Sequence, residues 1–158
     1  MVREAAIKTL VDVRTAPGSR RHPHFGAKAL EATLGALSIA YVHLPELGGR
    51  REPRADSPHR ALRVAAFRGY ADHMGTAEFA RGYERLTSLA RESRTVFMCA
   101  ETLWWRCHRR LIADRLVAMG YDVLHIQSRG LVSPHKIIAP AAIRGGNLSY
   151  AADQPDML

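Results

Sequence analysis

Four short apolar runs punctuate the chain, and each ends on a polar or reactive side chain. Ile7–Val13 leads into Arg14, Ile39–Pro45 passes through His43 to Glu46, Arg94–Ala100 carries Cys99 to Glu101, and Tyr121–Ile126 carries His125 to Gln127. Runs that are apolar without strict alternation need cover on both faces, which is the condition of strands in a parallel sheet. Helical patterns separate them. Ala27–Leu37 places Leu30, Leu34 and Leu37 at helical spacing, and Ala61–Met74 and Ala77–Ala90 follow, the latter with Thr76 as its N-cap. Arg106–Gly120 puts Leu111, Ile112, Leu116 and Met119 on one face and stops at Gly120. The order β-α-β-αα-β-α-β predicts an α/β fold, a single three-layer domain with a mostly parallel sheet of four to five strands flanked by helices. Residues 1–126 are expected to form that domain. Residues 127–158, rich in Pro and Gly with one short strand at Lys136–Ile138, form a C-terminal extension that packs on it or trails from it. A long Gly-, Pro- and Arg-rich loop spans 46–60, a length that compact domains usually reserve for function or leave disordered.

In open parallel sheets, ligands bind beyond the carboxyl ends of the strands. That rule selects Asp12–Arg14, His43–Glu46, Cys99–Glu101 and His125–Gln127 as one rim.

The net charge is +8, and of 23 basic residues only Lys8, Lys28 and Lys136 are lysines. Such a balance favours anionic partners, a phosphate-bearing small molecule or nucleic acid. A genome biased toward arginine codons would explain the Arg:Lys ratio but not the excess charge. No apolar run approaches the roughly 20 residues of a membrane span, so no membrane association is expected. The start, "MVREAAIKTLVDV", has neither a signal-peptide core nor a cleavage site, which predicts a cytoplasmic protein. In that compartment the two cysteines are thiols rather than a structural disulfide.

Both cysteines lie in "TVFMCAETLWWRCHRRLIADRL", Thr95–Leu116. Cys99 ends a strand and Cys107 opens a helix, where unpaired amides and the helix dipole favour a thiolate. Cys99 is therefore a candidate nucleophile or redox group, with a buried thiol serving as a small hydrophobe as the alternative. The intervening segment has no Gly and two Trp, so a phosphate cradle of backbone amides is not expected there. Glu101 and His108 are candidate proton-transfer groups, although a structural Glu–Arg pair would explain Glu101 as well. The arginines Arg14, Arg20, Arg21, Arg50, Arg51 and Arg109 fall in rim loops or helix starts, and a guanidinium fork matches phosphate. Trp104 and Trp105 could stack a base, unless one of them belongs to the core. A metal site is not expected. The spacing C-x7-C departs from zinc knuckles, which use about two to four intervening residues, and helical neighbours such as Cys107 and His108 point about 100° apart.

Four segments together, "VDVRTAPGSRRHPHF", "AYVHLPELGGRRE", "VFMCAETLWWRCHRRLIADRL" and "GYDVLHI", resemble domain-of-unknown-function family 488. The resemblance runs from Val11 to Ile126 in the family's motif order: Asp-Val-Arg, Leu-Gly-Gly, Cys-x-Glu, Cys-His-Arg, His-Ile. It implies a compact α/β domain and brings no activity with it. Family members carry a further strand and helix before the Asp-Val-Arg strand, where this chain has only "VREAAI", so that first strand and helix are expected to be missing.

The sequence thus predicts one cationic pocket at the rim. Asp12, Arg14, Ser19 and Arg20 would line one side, and Cys99, Glu101, Cys107, His108 and Arg109 the other. Cys99, Glu101 and His108 would carry chemistry on a phosphate-bearing substrate, and the rest would bind the anion. No cofactor is expected. The alternative is a non-catalytic nucleotide or nucleic-acid binder whose polar cluster is structural. An uncovered sheet edge would permit a homodimer without requiring one.

Overall fold

The computed structural model describes residues 2–18, 22–128, 130–144 and 147–151. At its centre lies β1 (Thr9–Asp12), all four residues buried, between β2 (Ala40–His43) and β3 (Thr95–Met98). Both neighbours run parallel to it, with Thr9 opposite Ala40 and Thr95, and Asp12 opposite His43 and Met98. Side chains alternate across a strand, so β1 feeds two cores. Leu10 packs with Ile7, Ile39 and Leu34 of α1 (Ala27–Gly35) on one face. Val11 and Val13 join a larger core on the other face, built by α2 (Ala65–His73), α3 (Ala77–Glu92) and α4 (Arg109–Ala118). Tyr70, Phe79, Leu86, Leu111 and Ile112 fill that core, each full burial stabilising by about 1.5–3 kcal/mol.

Local chemistry fixes the helix ends. The Thr76 hydroxyl accepts the Phe79 N–H at 3.2 Å and caps α3 as its sequence predicts. α2 begins at Ala65 rather than Ala61, because the carbonyls of Leu62 and Arg63 accept from the Arg68 guanidinium at 2.9 and 3.0 Å and Val64 is extended. Gly120, at φ +86°, closes α4 in the left-handed conformation that glycine tolerates. Met119, expected on the buried face of α4, is 63% exposed.

The sheet differs from expectation in its strand count. Among the described residues the parallel sheet has three strands, not four or five. The run expected as its last strand forms β4 (Leu124–Ser128), which pairs antiparallel with β5 (Leu131–Pro134) in a separate ribbon. Gly130, at φ +70°, lies in the turn that folds β5 back and takes up the backbone groups of β4. A groove of about 1010 Å³ is lined among others by Val96 and Met98 of β3 and by Leu124 and Ile126 of β4. Lys136–Ile138 is not a strand. Beyond it, β6 (Ala142–Arg144) and β7 (Asn147–Ser149) form a second ribbon, and Tyr150 enters the large core. Among the described residues no helix is long and apolar enough to cross a membrane.

Candidate active site

Three parallel strands bring three loops to one rim. The chain leaves β1 through Arg14 and Thr15, β2 through Leu44–Gly49, and β3 through Cys99–Glu101, while α4 starts at the same end. Between them opens a cavity of about 540 Å³, lined among others by Arg14, Arg50, Cys99, Glu101, Arg106, Cys107 and His108.

At its floor the Cys99 and Cys107 sulfurs and a ring nitrogen of His108 all lie within 4.8 Å of one another. Sequence spacing argued against this, since neighbours on a helix diverge. Cys107, however, is extended (φ −121°, ψ 151°), and His108 is the N-cap residue, so both precede the helix. Cys107 Sγ is 3.5 Å from His108 Nδ1, and the Arg109 Nε–H donates to the same sulfur at 3.4 Å. His108 is held from two sides. Its ring lies against Tyr70, centroids 4.9 Å apart, and Tyr70 is itself fixed by its hydroxyl donating to the Leu47 carbonyl at 2.8 Å. On the other side stands Gly49, where a β-carbon would meet His108 Nδ1 at 2.1 Å.

This packing sets the charge state of the thiols. A hydrogen bond from Cys107, reinforced by His108 and the Glu101 backbone N–H, outweighs burial and pulls the Cys99 thiol well below its ordinary value. The same Cys99 contact, with burial, pushes Cys107 up. The two sulfurs therefore titrate as a coupled pair, with Cys99 the more acidic of the two.

The expected site residues divide into two groups. Cys99, Glu101, Cys107 and His108 meet at the cavity together with Arg14. Asp12 and the Arg14 guanidinium, by contrast, are turned into the protein and onto each other. Arg14 Nε–H donates to Asp12 Oδ1 at 2.8 Å, and the Tyr41 hydroxyl donates to Oδ2 at 2.7 Å. Burial would raise the Asp12 carboxyl, but these hydrogen bonds hold it below its ordinary value. The Tyr41 phenol is pushed up to about 12 by burial and by Asp12. Asp12 thus anchors Arg14 and does not line the cavity. Arg109 donates to the Glu101 carbonyl and to Cys107 Sγ, which closes the turn between the cysteines. Glu101 is exposed, its Oε1 accepting the Leu103 N–H at 3.1 Å. Ser19 and Arg20, with Arg21, lie outside the described residues.

Other expectations for the rim change. Arg51 pairs with Glu78 at 2.9 Å, whereas Arg50 and Arg106 line the cavity and are exposed. Trp104 is stacked on His125 at 3.7 Å, which occupies one face of the indole, while Trp105 is 44% exposed. His125, expected at the rim, instead joins a buried relay. His125 Nε2 meets His135 Nδ1 at 2.9 Å, and His135 Nε2 meets Asp114 Oδ1 at 2.9 Å. Sequence reasoning missed Gly49, Tyr70 and Phe67 as parts of the site. For Gly49 the available signal was the Gly-Gly doublet in the loop after β2, since it marks a close backbone approach.

The fold and the site define an α/β domain with a cysteine–histidine cluster at the carboxyl rim of a parallel sheet. The chain belongs to the family of the domain of unknown function DUF488, whose model matches residues 1–116. Comparison with curated proteins and with solved structures gives no match.

Proposed function

We propose that this protein is a small enzyme acting on a phosphate-bearing substrate, a nucleotide or nucleic acid, in the rim cavity. One observation carries the reading: a single cavity of about 540 Å³ holds both sulfurs and His108 together with two exposed arginines, Arg50 and Arg106. The guanidinium forks would take the phosphate oxygens. Cys99 would supply the nucleophile or redox group, and Glu101 or His108 would move the proton. Arg14 shapes the loop from below, its charge already answered by Asp12. Ser19 and Arg20 would add to the anion-binding set.

The test is alkylation of metal-free protein by iodoacetamide. Inorganic phosphate should slow labelling of Cys99, and Arg50→Ala with Arg106→Ala should remove that protection. Labelling indifferent to phosphate would end the proposal. A second reading, a non-catalytic binder, is favoured by the internal engagement of Arg14 and Arg109 and by the +8 net charge. It expects nucleic-acid affinity that falls steeply with salt, because neutralised phosphates release counterions. It also expects Cys99→Ser to leave every phosphorus resonance of an added nucleotide mixture unchanged from wild type. Enzyme action requires new resonances with the wild type that the variant does not produce.

A further inference from the structure

The buried end of the cavity holds a donor set whose capacity to bind a cation the phosphate reading leaves unused. Two sulfurs and an imidazole nitrogen, contributed by the end of β3 and the start of α4, lie mutually within 4.8 Å. Neither ring nitrogen of His108 has an oxygen or nitrogen partner among the described residues. Nδ1 faces Cys107 Sγ at 3.5 Å, and Nε2 is buried without a hydrogen bond. A buried imidazole normally satisfies both nitrogens. Here its polar neighbours are sulfurs.

The spacing has a further meaning. A tetrahedral ion that holds sulfur at about 2.3 Å and nitrogen at about 2.0 Å sets those two atoms about 3.5 Å apart, and two such sulfurs about 3.8 Å apart. The observed 3.5 Å between Cys107 Sγ and His108 Nδ1 equals the first of these, and the 4.8 Å bound admits the second. The ligand type selects the ion: thiolate with imidazole suits zinc-like cations rather than magnesium or calcium, which prefer oxygen. Three protein ligands leave one tetrahedral position open, as in catalytic rather than structural zinc sites. All three residues line the cavity, so that position faces it.

We propose that Cys99, Cys107 and His108 bind one thiophilic divalent cation of the zinc class, with its fourth position open to the cavity. This inference shares Cys99 and His108 with the phosphate reading, whose anion contact rests instead on Arg50 and Arg106. The arginines can hold an anion with or without the ion. With the ion bound, the Cys99 sulfur is a ligand, and the reacting group offered to a substrate becomes the open metal position instead of the thiolate.

The experiment is a Co²⁺ titration of chelator-stripped, desalted protein. The chain has two cysteines, so any thiolate-to-cobalt charge-transfer absorption must come from this pair. One equivalent should saturate an intense near-ultraviolet band together with the visible bands of tetrahedral cobalt, and Zn²⁺ should displace both. His108→Asn should weaken Co²⁺ binding by about tenfold or more, since loss even of an outer partner costs that much. Because that variant could misfold, X-ray absorption of the zinc-loaded wild type gives an independent ligand count, expected as two sulfurs and at least one imidazole. Absence of the charge-transfer band would overturn the proposal. So would one metal per two chains, or a zinc shell with fewer than two sulfurs. Bound Co²⁺ should also block alkylation of Cys99 without phosphate, whereas phosphate protection is measured without metal. Either result can therefore fail while the other stands.

Discussion

A methyl group on Gly49 would sit 2.1 Å from Nδ1 of His108, and one on Gly48 would sit 2.3 Å from the Thr15 hydroxyl. The Gly-Gly pair is thus the place where the β2 loop passes under the loop after β1 and against the first residues before α4. At this scale the site is a matter of clearance. Gly49→Ala should force the imidazole aside and cost about 1–3 kcal/mol, the usual range for overpacking. Gly35→Ala is the control, because open space surrounds that position, and it should shift stability by less than about 1 kcal/mol. Urea unfolding followed by circular dichroism checks both. Equal effects at the two positions would show that His108 yields freely and that Gly49 is not a positioning residue. The sequence announces the doublet. It does not announce which side chain, nearly sixty positions further on, needs the space.

Among elements, the β4–β5 ribbon shows how a strand can be legible and still be misplaced. Its apolar character is local, so Tyr121–Ile126 reads as a strand from the sequence, and Leu124–Ser128 is one. Its partner is a non-local choice, and β5 takes its backbone groups after the turn at Gly130. The ribbon is joined to α4 through His125, His135 and Asp114. Burial, with His135 and Arg109 adding to it, pulls the His125 imidazole down to about 4. Its unfolded value is about 6.5, so between these values the unfolded chain binds the proton and the folded chain does not. Stability from this group is fully present above about 6.5 and is lost as pH falls toward 4, by up to about 3 kcal/mol. His125→Gln, which does not titrate, should flatten that part of the pH dependence in urea titrations from pH 7 to 4.5. An unchanged slope would show that the ribbon does not seal His125 from water.

For the molecule as a whole, described residues beyond the family match, Ala141 and Tyr150 among them, pack into the large core. Asp114, fully buried in α4, accepts from Tyr150 Oη at 2.9 Å through Oδ2 while Oδ1 meets His135. Both donors lie beyond residue 116, the end of the match. The helix that follows the cysteine–histidine cluster is therefore held at its middle by His135 and Tyr150. Tyr150→Phe removes the hydroxyl and leaves a buried carboxylate oxygen short of a donor, a loss of about 1.5–3 kcal/mol for a hydrogen bond to a charged group. The expected result is a lower urea midpoint with an unchanged m-value, because the surface exposed on unfolding is the same. A wild-type midpoint would show that the C-terminal segment is not energetically coupled to α4.

The sequence alone determined the α/β class, the positions of most helices and strands, and the rim where Cys99, Glu101, Cys107 and His108 meet. Those features follow from hydrophobic period, capping residues and polar strand ends, all of them local. Only the tertiary structure decided that the parallel sheet stops at three strands and that Asp12 spends the charge of Arg14. It also decided that Trp104 stacks on His125, and that Cys107 and His108, lying before the helix rather than in it, can face Cys99 together. Each of these is a choice among long-range partners, made by packing and by the need to satisfy buried polar groups, and no pattern of neighbours along the chain encodes it.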